Sequence, residues 1–111
     1  MGALKTVVQY SNSYVIYSED RIRSALESFL AKYESQSASF KAVQLVRFMV
    51  GVSKKHYVPP YWSYHVKKTI AEKLRLVRDA RGRLWTLRRI ERQGEHVYRI
   101  FYRRVVEDGE G

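Results

Sequence analysis

The chain has 111 residues, of which 45% are hydrophobic, and a formal net charge of +10 at pH 7. This length predicts one domain, and ordinary hydrophobicity with few prolines and glycines excludes a disordered chain. The chain has no cysteine, which excludes disulfides, thiolate catalysis and cysteine-ligated zinc. No run of about eighteen apolar residues could span a membrane, and the first 13 residues lack the apolar core of a secretory signal.

The positive charge is concentrated in the second half of the chain. Residues 54–104 hold fifteen of the 21 basic residues but only four acidic ones, and ten of the fifteen are arginines. A field this uneven attracts polyanions and speeds their capture. We therefore favour nucleic-acid binding over the other interpretation, a heavily solvated surface of the kind found in thermophile proteins.

Two β-prone segments, residues 5–10 and 14–17, come first and are separated by a turn-like Ser-Asn-Ser. Ser18 is then a suitable helix N-cap, because Glu19 and Asp20 complement the positive first turn of a helix. Apolar residues at spacings of three and four continue to Tyr33 and predict the first helix.

A second helix is predicted from about residue 40 to residue 50. Residues 34–38 are predicted to be a polar loop, with Ser39 as the cap and Gly51 as the stop. The helix is apolar nearly all round, which predicts that it is buried or shows one face to a partner.

A third helix is predicted over residues 60–74, after a connector at residues 52–58 and a rigid Pro59-Pro60 start. Apolar side chains at every fourth position from Trp62 to Leu74 mark its inner side. At about 100° per residue, the opposite side holds Tyr61, Tyr64, Lys68 and Ala71, with His65 and Glu72 on the flank.

After Leu74 the apolar period changes to two, which predicts strands at residues 75–78, 83–91 and 96–105. Turns are expected at residues 79–82 and 92–95. In the last strand, one face should hold Tyr98, Ile100 and Tyr102, and the other Arg99, Phe101 and Arg103. These elements predict an α+β domain of three helices packed on a small antiparallel sheet. We expect it over residues 18–105, between a β-prone segment (1–17) and an acidic, frayed tail (106–111).

Four segments carry a resemblance to a known superfamily. They are the capped helix SEDRIRSALESFLAKY, the apolar FKAVQLVRFMVG, the proline-led PPYWSYHVKKTIAEKL and the hairpin RLVRDARGRLWTLRRI. Their order, over about residues 18–104, resembles the winged-helix superfamily of DNA-binding domains. The resemblance implies that the third helix is a recognition helix and that the hairpin is the wing. Two features depart from it, the long connector and the second hairpin, and both could serve a partner other than DNA.

The resemblance also implies a set of nucleic-acid-binding residues. On the third helix they are Tyr61, Ser63, Tyr64, His65, Lys67 and Lys68, with Glu72 as a further outward residue. At the wing tip they are Arg78, Arg81 and Arg83. We also expect Lys54 and Lys55 of the connector to bind nucleic acid. Three further arginines, Arg88, Arg89 and Arg92, are equally well explained as the solvent face of a sheet.

The chemistry of these residues suits a duplex. A helix fits the major groove, where Tyr61 and Tyr64 could contact phosphates or thymine methyls and Lys68 a phosphate or a guanine edge. The helix start at Pro60 leaves backbone N–H groups that favour a phosphate. Arg81 lies in a turn, where core packing does not explain it. The alternatives are ordinary ones: tyrosines packed on the sheet or a second subunit, and solvated lysines.

We therefore expect a sequence-specific or architectural protein that binds double-stranded DNA, most simply a transcriptional regulator in the cytoplasm or nucleoid. No catalytic residue, cofactor or metal site is predicted, because the phosphate-loop, GxSxG and HExxH motifs are all absent. One alternative is an RNA-binding protein of a ribonucleoprotein, with Trp85, Tyr98 and Tyr102 stacking on unpaired bases. Another is a non-catalytic interaction module of a transcription or replication assembly. A homodimer through the N-terminal β segment or the second helix is also expected.

Overall fold

The structure, a computed structural model, describes residues 18–107 as an α+β domain with a four-stranded antiparallel sheet. Its helices are α1 (Glu19–Leu30), α2 (Ala42–Val50) and α3 (Pro60–Lys73). Its strands are β1 (Ser37–Lys41), β2 (Leu76–Arg78), β3 (Leu84–Gly94) and β4 (Val97–Arg104). The predicted class and the three helices are confirmed. The β-prone segment of residues 1–17 and the last four tail residues lie outside the described part.

The helix ends follow the local chemistry that predicted them. The Ser18 hydroxyl accepts a hydrogen bond from the Arg21 N–H at 3.2 Å, as an N-cap should. Pro60 is the first residue of α3, where a missing N–H costs nothing. Gly51 ends α2 with φ 71°, a left-handed conformation that glycine adopts without strain.

The segment predicted as a polar loop with a helix cap is instead β1. It pairs with β4, so that Ala38 lies opposite Tyr102 and Phe40 opposite Ile100. Ala38 and Phe40 are buried, and this burial outweighs the polarity of the serines around them. Ser39 therefore lies within a strand, and Lys41, the last residue of β1, is the N-cap of α2.

The sheet has the order β1-β4-β3-β2 and packs one face against the helices. The predicted inner face of β4 is confirmed, since Tyr98, Ile100 and Tyr102 are all buried. The second turn is displaced from its predicted position at residues 92–95. β3 continues to Gly94, and Glu95-His96 makes the turn, with His96 at φ 61°.

Candidate nucleic-acid interface

The hairpin predicted as the wing, formed by β2 and β3, is held against α1. The Ala80 N–H donates to the Glu27 carbonyl at 3.1 Å. The Arg83 guanidinium donates to the carbonyls of Leu30 and Ala31 at 3.3 and 3.1 Å. Carbonyls at a helix C-terminus lack partners within the helix, so the hairpin caps α1. Its turn meets the C-terminal end of α1 and not the outer side of α3.

Asp79 fixes this turn. Its buried carboxylate accepts hydrogen bonds from the Arg81 N–H at 2.8 Å and the Arg83 N–H at 3.0 Å. It also accepts from Arg83 Nε at 2.9 Å and from Trp85 Nε1 at 2.8 Å. Burial alone would raise the pKa of Asp79, but the hydrogen bonds from Trp85, Arg83 and Arg81 more than offset it, and the pKa is lowered.

Arg83 was predicted at an outward wing tip, and its position contradicts this. Its side chain is only 15% exposed and is bonded to Asp79 and to the end of α1. The guanidinium balances a buried carboxylate and is not presented to solvent. Arg83 is therefore a structural cation.

The other two predicted wing arginines are each paired with a carboxylate. Arg78 donates to both carboxylate oxygens of Glu107, at 3.0 and 2.8 Å, so this part of the predicted frayed tail is held in place. Arg81 pairs with Glu34 at 3.1 Å. A polyanion would have to compete with these carboxylates for either arginine.

The β3–β4 turn, and not the β2–β3 turn, lies near the start of α3. The two turns are at opposite ends of β3, and its ten residue steps from Leu84 to Gly94 separate them by about 33 Å. A cleft of about 310 Å³ lies between α3, this turn and α2. Its walls include Pro60, Ser63, Glu95, His96, Lys41 and Arg47.

Side-chain contacts join α3 to β4 along its length. The Tyr64 and Tyr98 rings are 6.5 Å apart, and Lys67 Nζ lies 4.8 and 5.0 Å from their centroids. At the other end of α3, the Tyr102 hydroxyl donates to the Leu74 carbonyl at 2.6 Å. The helix rises about 15 Å from Tyr64 to Leu74, and the strand extends about 13 Å from Tyr98 to Tyr102. Because these lengths are similar, the two elements run side by side.

The outer side of α3 is exposed and aromatic. Tyr61 and Tyr64 are 46% and 40% exposed, and the His65 ring lies 6.0 Å from both rings. Lys68, one turn beyond Tyr64, is also exposed. These four predicted residues are therefore brought together.

Ser63 is the predicted residue of α3 that does not belong to this side. It is only 3% exposed, because it lies three and seven residues before the buried Val66 and Ile70. That spacing puts all three on one helix face. The prediction that Ser63 points outward is wrong. The spacing of Ser63, Val66 and Ile70 in the sequence already places Ser63 on the buried face.

Arg92 lies in β3, although the sequence placed it in a turn. It pairs with Tyr98 across the ladder, and cross-strand partners share a face of the sheet. Its exposed side chain therefore starts beside Tyr98 and Lys67, on the side that α3 covers. We call the exposed set made by the helix and this strand the α3 surface. It comprises Tyr61, Tyr64, His65, Lys67, Lys68 and Arg92.

The connector before α3 adds further exposed cations. Lys54 and Lys55 are exposed, and Tyr57 is 81% exposed. The segment is braced from within: the Ser53 hydroxyl lies 3.1 Å from His56 Nδ1, and Arg47 donates to the His56 carbonyl at 3.1 Å. The connector thus adds exposed cations before the start of α3, and Lys54 also lines a cleft with Arg47 and Phe48 of α2.

The aromatic residues predicted to stack on unpaired RNA bases are not available for it. Trp85, Tyr98 and Tyr102 all lie in the core between the sheet and the helices. Burial raises the pKa of Tyr102, and the charge of Arg75 only partly opposes this. These three rings hold the sheet to the helices and do not form a binding platform.

The fold and this surface define an α+β domain with a basic, tyrosine-rich face built from α3 and the β3–β4 hairpin. Comparisons with known protein families, with curated proteins and with solved structures find no match. Within residues 18–107, no helix is both long enough and apolar enough to cross a membrane. The same stretch contains no group of three or more histidine, aspartate or glutamate side chains that could hold a metal ion.

Proposed function

We propose that this domain binds double-stranded DNA as a winged helix, with α3 in the major groove and the β3–β4 hairpin as the wing. The β2–β3 hairpin, which the sequence suggested for the wing, serves instead to cap α1. The order of elements supports the proposal: a helix, a strand, two helices and then three strands, the last of which pairs with β1.

The dimensions and chemistry of α3 support the same assignment. A helix with its side chains is about 10–12 Å across, and the major groove is about 12 Å wide. Tyrosine hydroxyls and the Lys68 ammonium can donate to phosphates and to base edges. The exposed residues at the helix start thus match what a duplex presents.

The observation that carries the proposal is the absence of acid along the connector and along α3 as far as Ala71. From Lys54 through Ala71 the sequence contains four lysines and two histidines but no carboxylate, and Glu72 is the first. Lys67, lying against both Tyr64 and Tyr98, joins the helix to the hairpin within the same positive surface. A duplex therefore meets cations from two elements at once.

A titration of labelled duplex DNA with the full chain, read by fluorescence anisotropy, tests the proposal. Five cations (Lys54, Lys55, Lys67, Lys68 and Arg92) give an expected log-log salt slope of about −4.5. Raising the salt from about 50 to 200 mM should then lower affinity roughly 500-fold. A flat titration would reject the electrostatic contact.

The matched pair Lys68→Ala and Arg81→Ala locates the surface, since each removes one exposed cation. Lys68→Ala should weaken binding about tenfold and reduce the salt slope by about 0.9. Arg81→Ala should change affinity less than about twofold, because Arg81 is paired with Glu34 at the far end of the sheet. Equal losses in both variants would show that the wing was assigned to the wrong hairpin.

The predicted homodimer stays a prediction. α2 keeps Val43, Phe48 and Met49 half-buried. The N-terminal segment that could complete an interface lies outside residues 18–107. Light scattering across a concentration series measures the state directly, and a constant monomer mass would reject the dimer.

A further inference from the structure

The face of the sheet turned away from the helices carries a second group of cations. Because Tyr98, Ile100 and Tyr102 point into the core, the residues between them point the opposite way. A register shift between Leu87 and Arg89 places Arg88 in a β-bulge beside that face. We call this group the open face. It comprises Arg88, Arg89, Phe101 and Arg103.

The open face surrounds a shallow cleft of about 290 Å³ on strands β1, β4 and β3. Its walls include Arg88, Arg89, Phe101, Arg103, Ser37 and Ser39, with no acid among the described residues that line it. The Arg89 guanidinium lies 3.9 Å from the Phe101 ring centroid. Glu91 accepts a hydrogen bond from Arg89 Nε at 2.6 Å and orients this pair. The cleft thus combines an aromatic ring with three arginines, of which Arg89 is paired with Glu91.

Two of these arginines have no carboxylate partner among the described residues. Within residues 18–107, neither Arg88 nor Arg103 forms an ion pair or a side-chain hydrogen bond. Like charges on neighbouring strands destabilise a sheet, so a solvated face gains nothing from this clustering. A polyanion lying across the strands would relieve the repulsion.

We propose that the open face binds single-stranded nucleic acid, separately from the α3 surface. A base would stack on the Phe101–Arg89 pair while its flanking phosphates meet Arg88 and Arg103. The strand must be single because a base in a duplex cannot present its ring face to a sheet. The exposed Ser37 hydroxyl lines the same cleft and can hydrogen-bond a base edge or a ribose 2′-hydroxyl, whereas the Ser39 hydroxyl already accepts a hydrogen bond from Arg99 at 2.8 Å.

The two basic surfaces lie on opposite faces of the sheet, so the proposal predicts simultaneous occupancy. One domain could hold a duplex on α3 and a single strand on the open face, as at a junction between the two. Binding at the open face does not require that α3 binds DNA, which makes the two proposals separable by experiment.

The test uses the full chain and labelled single strands of about 12 nucleotides, as RNA and as DNA, read by anisotropy. Phe101→Leu should lower single-strand affinity about tenfold through lost stacking. Arg103→Ala should lower it several-fold and reduce the salt slope by about 0.7. Both variants should leave duplex affinity unchanged. Lys68→Ala and Arg92→Ala, on the other side, should do the reverse.

A saturating unlabelled duplex should not displace the labelled strand. Displacement, or an equal loss in Lys68→Ala and Arg103→Ala, would mean one shared surface and overturn the proposal. So would a wild-type chain that binds neither single strand. Arg103 is exposed, so its variant is informative even if Phe101→Leu unfolds. If the wild-type chain bound single strands but not duplex DNA, the result would contradict the proposed role of α3 and support the proposal for the open face.

Discussion

Asp79→Asn is the sharpest test of how this fold is held together. The substitution keeps the shape of the side chain but removes its charge and converts one oxygen into an NH2 donor. Oδ1 accepts the backbone N–H groups of Arg81 and Arg83, and an amide oxygen can still do so. Oδ2 accepts from Arg83 Nε and Trp85 Nε1, so the new NH2 would face two donors.

The loss of stability expected for Asp79→Asn can be worked out from these contacts. Trp85 is fully buried, and a buried donor left without its acceptor costs about 1–3 kcal/mol. Arg83 loses a carboxylate in a largely buried ion pair, a loss of about 3–5 kcal/mol when nothing compensates. Arg83 keeps the carbonyls of Leu30 and Ala31 as partners, which reduces that loss. We expect a total of about 4 kcal/mol, a large fraction of the roughly 5–15 kcal/mol that holds a domain together.

Urea unfolding followed by circular dichroism measures this loss, and thermal melting should show a decrease in Tm of roughly 20 °C. Arg81→Ala is the control, because its exposed ion pair with Glu34 is worth less than about 1 kcal/mol. If Asp79→Asn cost no more than this control, the carboxylate would not be what fixes the β2–β3 turn.

Asp79 should make the folded state less stable as the pH falls. The folded-state pKa of Asp79 lies below the ordinary value of 3.8. Its stabilisation is therefore complete above about pH 4 and is lost as the pH falls through the lower, folded-state value. The wild-type chain should lose stability on acidification in this range, and Asp79→Asn should lose less. Parallel acid titrations of the two proteins would contradict the assignment.

Two further substitutions test single contacts. His96→Gly should raise stability by about 1 kcal/mol, because His96 has φ 61° and glycine adopts that conformation without strain; a lower melting temperature would show that the imidazole contributes more than the strain costs. Tyr102→Phe should lower stability by about 1–2 kcal/mol, because it leaves the buried Leu74 carbonyl without the hydroxyl that donates to it at 2.6 Å; unchanged urea midpoints would contradict this.

The helices were predictable from sequence because their signals are local. The stripe that includes Ile22, Leu26 and Leu30 repeats over three turns, and Ser18 and Gly51 mark helix ends by their own backbone chemistry. β1 has only five residues, and its burial depends on pairing with β4, some sixty residues later. No local pattern in Ser-Ala-Ser-Phe-Lys is long enough to establish that pairing.

The second turn was misplaced for a different reason. Glycine favours turns, so Gly94 drew the predicted turn two residues too early. In the structure Gly94 pairs with Val97, and His96 takes the positive φ. A histidine in that conformation is uncommon, and propensity gives it little weight. The shift matters for function, because it moves Arg92 from a turn into the ladder beside Tyr98.

The candidate site was predictable in part. Helical periodicity placed Tyr61, Tyr64 and Lys68 together, and the same periodicity should have excluded Ser63. The fate of Arg83 could not be foreseen, because an arginine beside an aspartate in a turn can bind a phosphate or that carboxylate. Arg83 binds the carboxylate because the hairpin packs against α1. That contact joins residues about fifty positions apart, so no local pattern predicts it.

Strand order explains why the arginine-rich β2–β3 hairpin, which the sequence suggested for the wing, does not accompany α3. β4 lies between β1 and β3 and runs beside α3, so the hairpin that accompanies α3 has to include β4. β2 is left at the edge, where its turn meets α1. Seven of the ten arginines between residues 75 and 104 are thereby divided: three bind carboxylates near the β2–β3 turn, Arg92 joins the α3 surface, and three occupy the open face. Arg81 and Arg92 carry equal charge, yet under the proposed function only Arg92 is expected to affect duplex affinity.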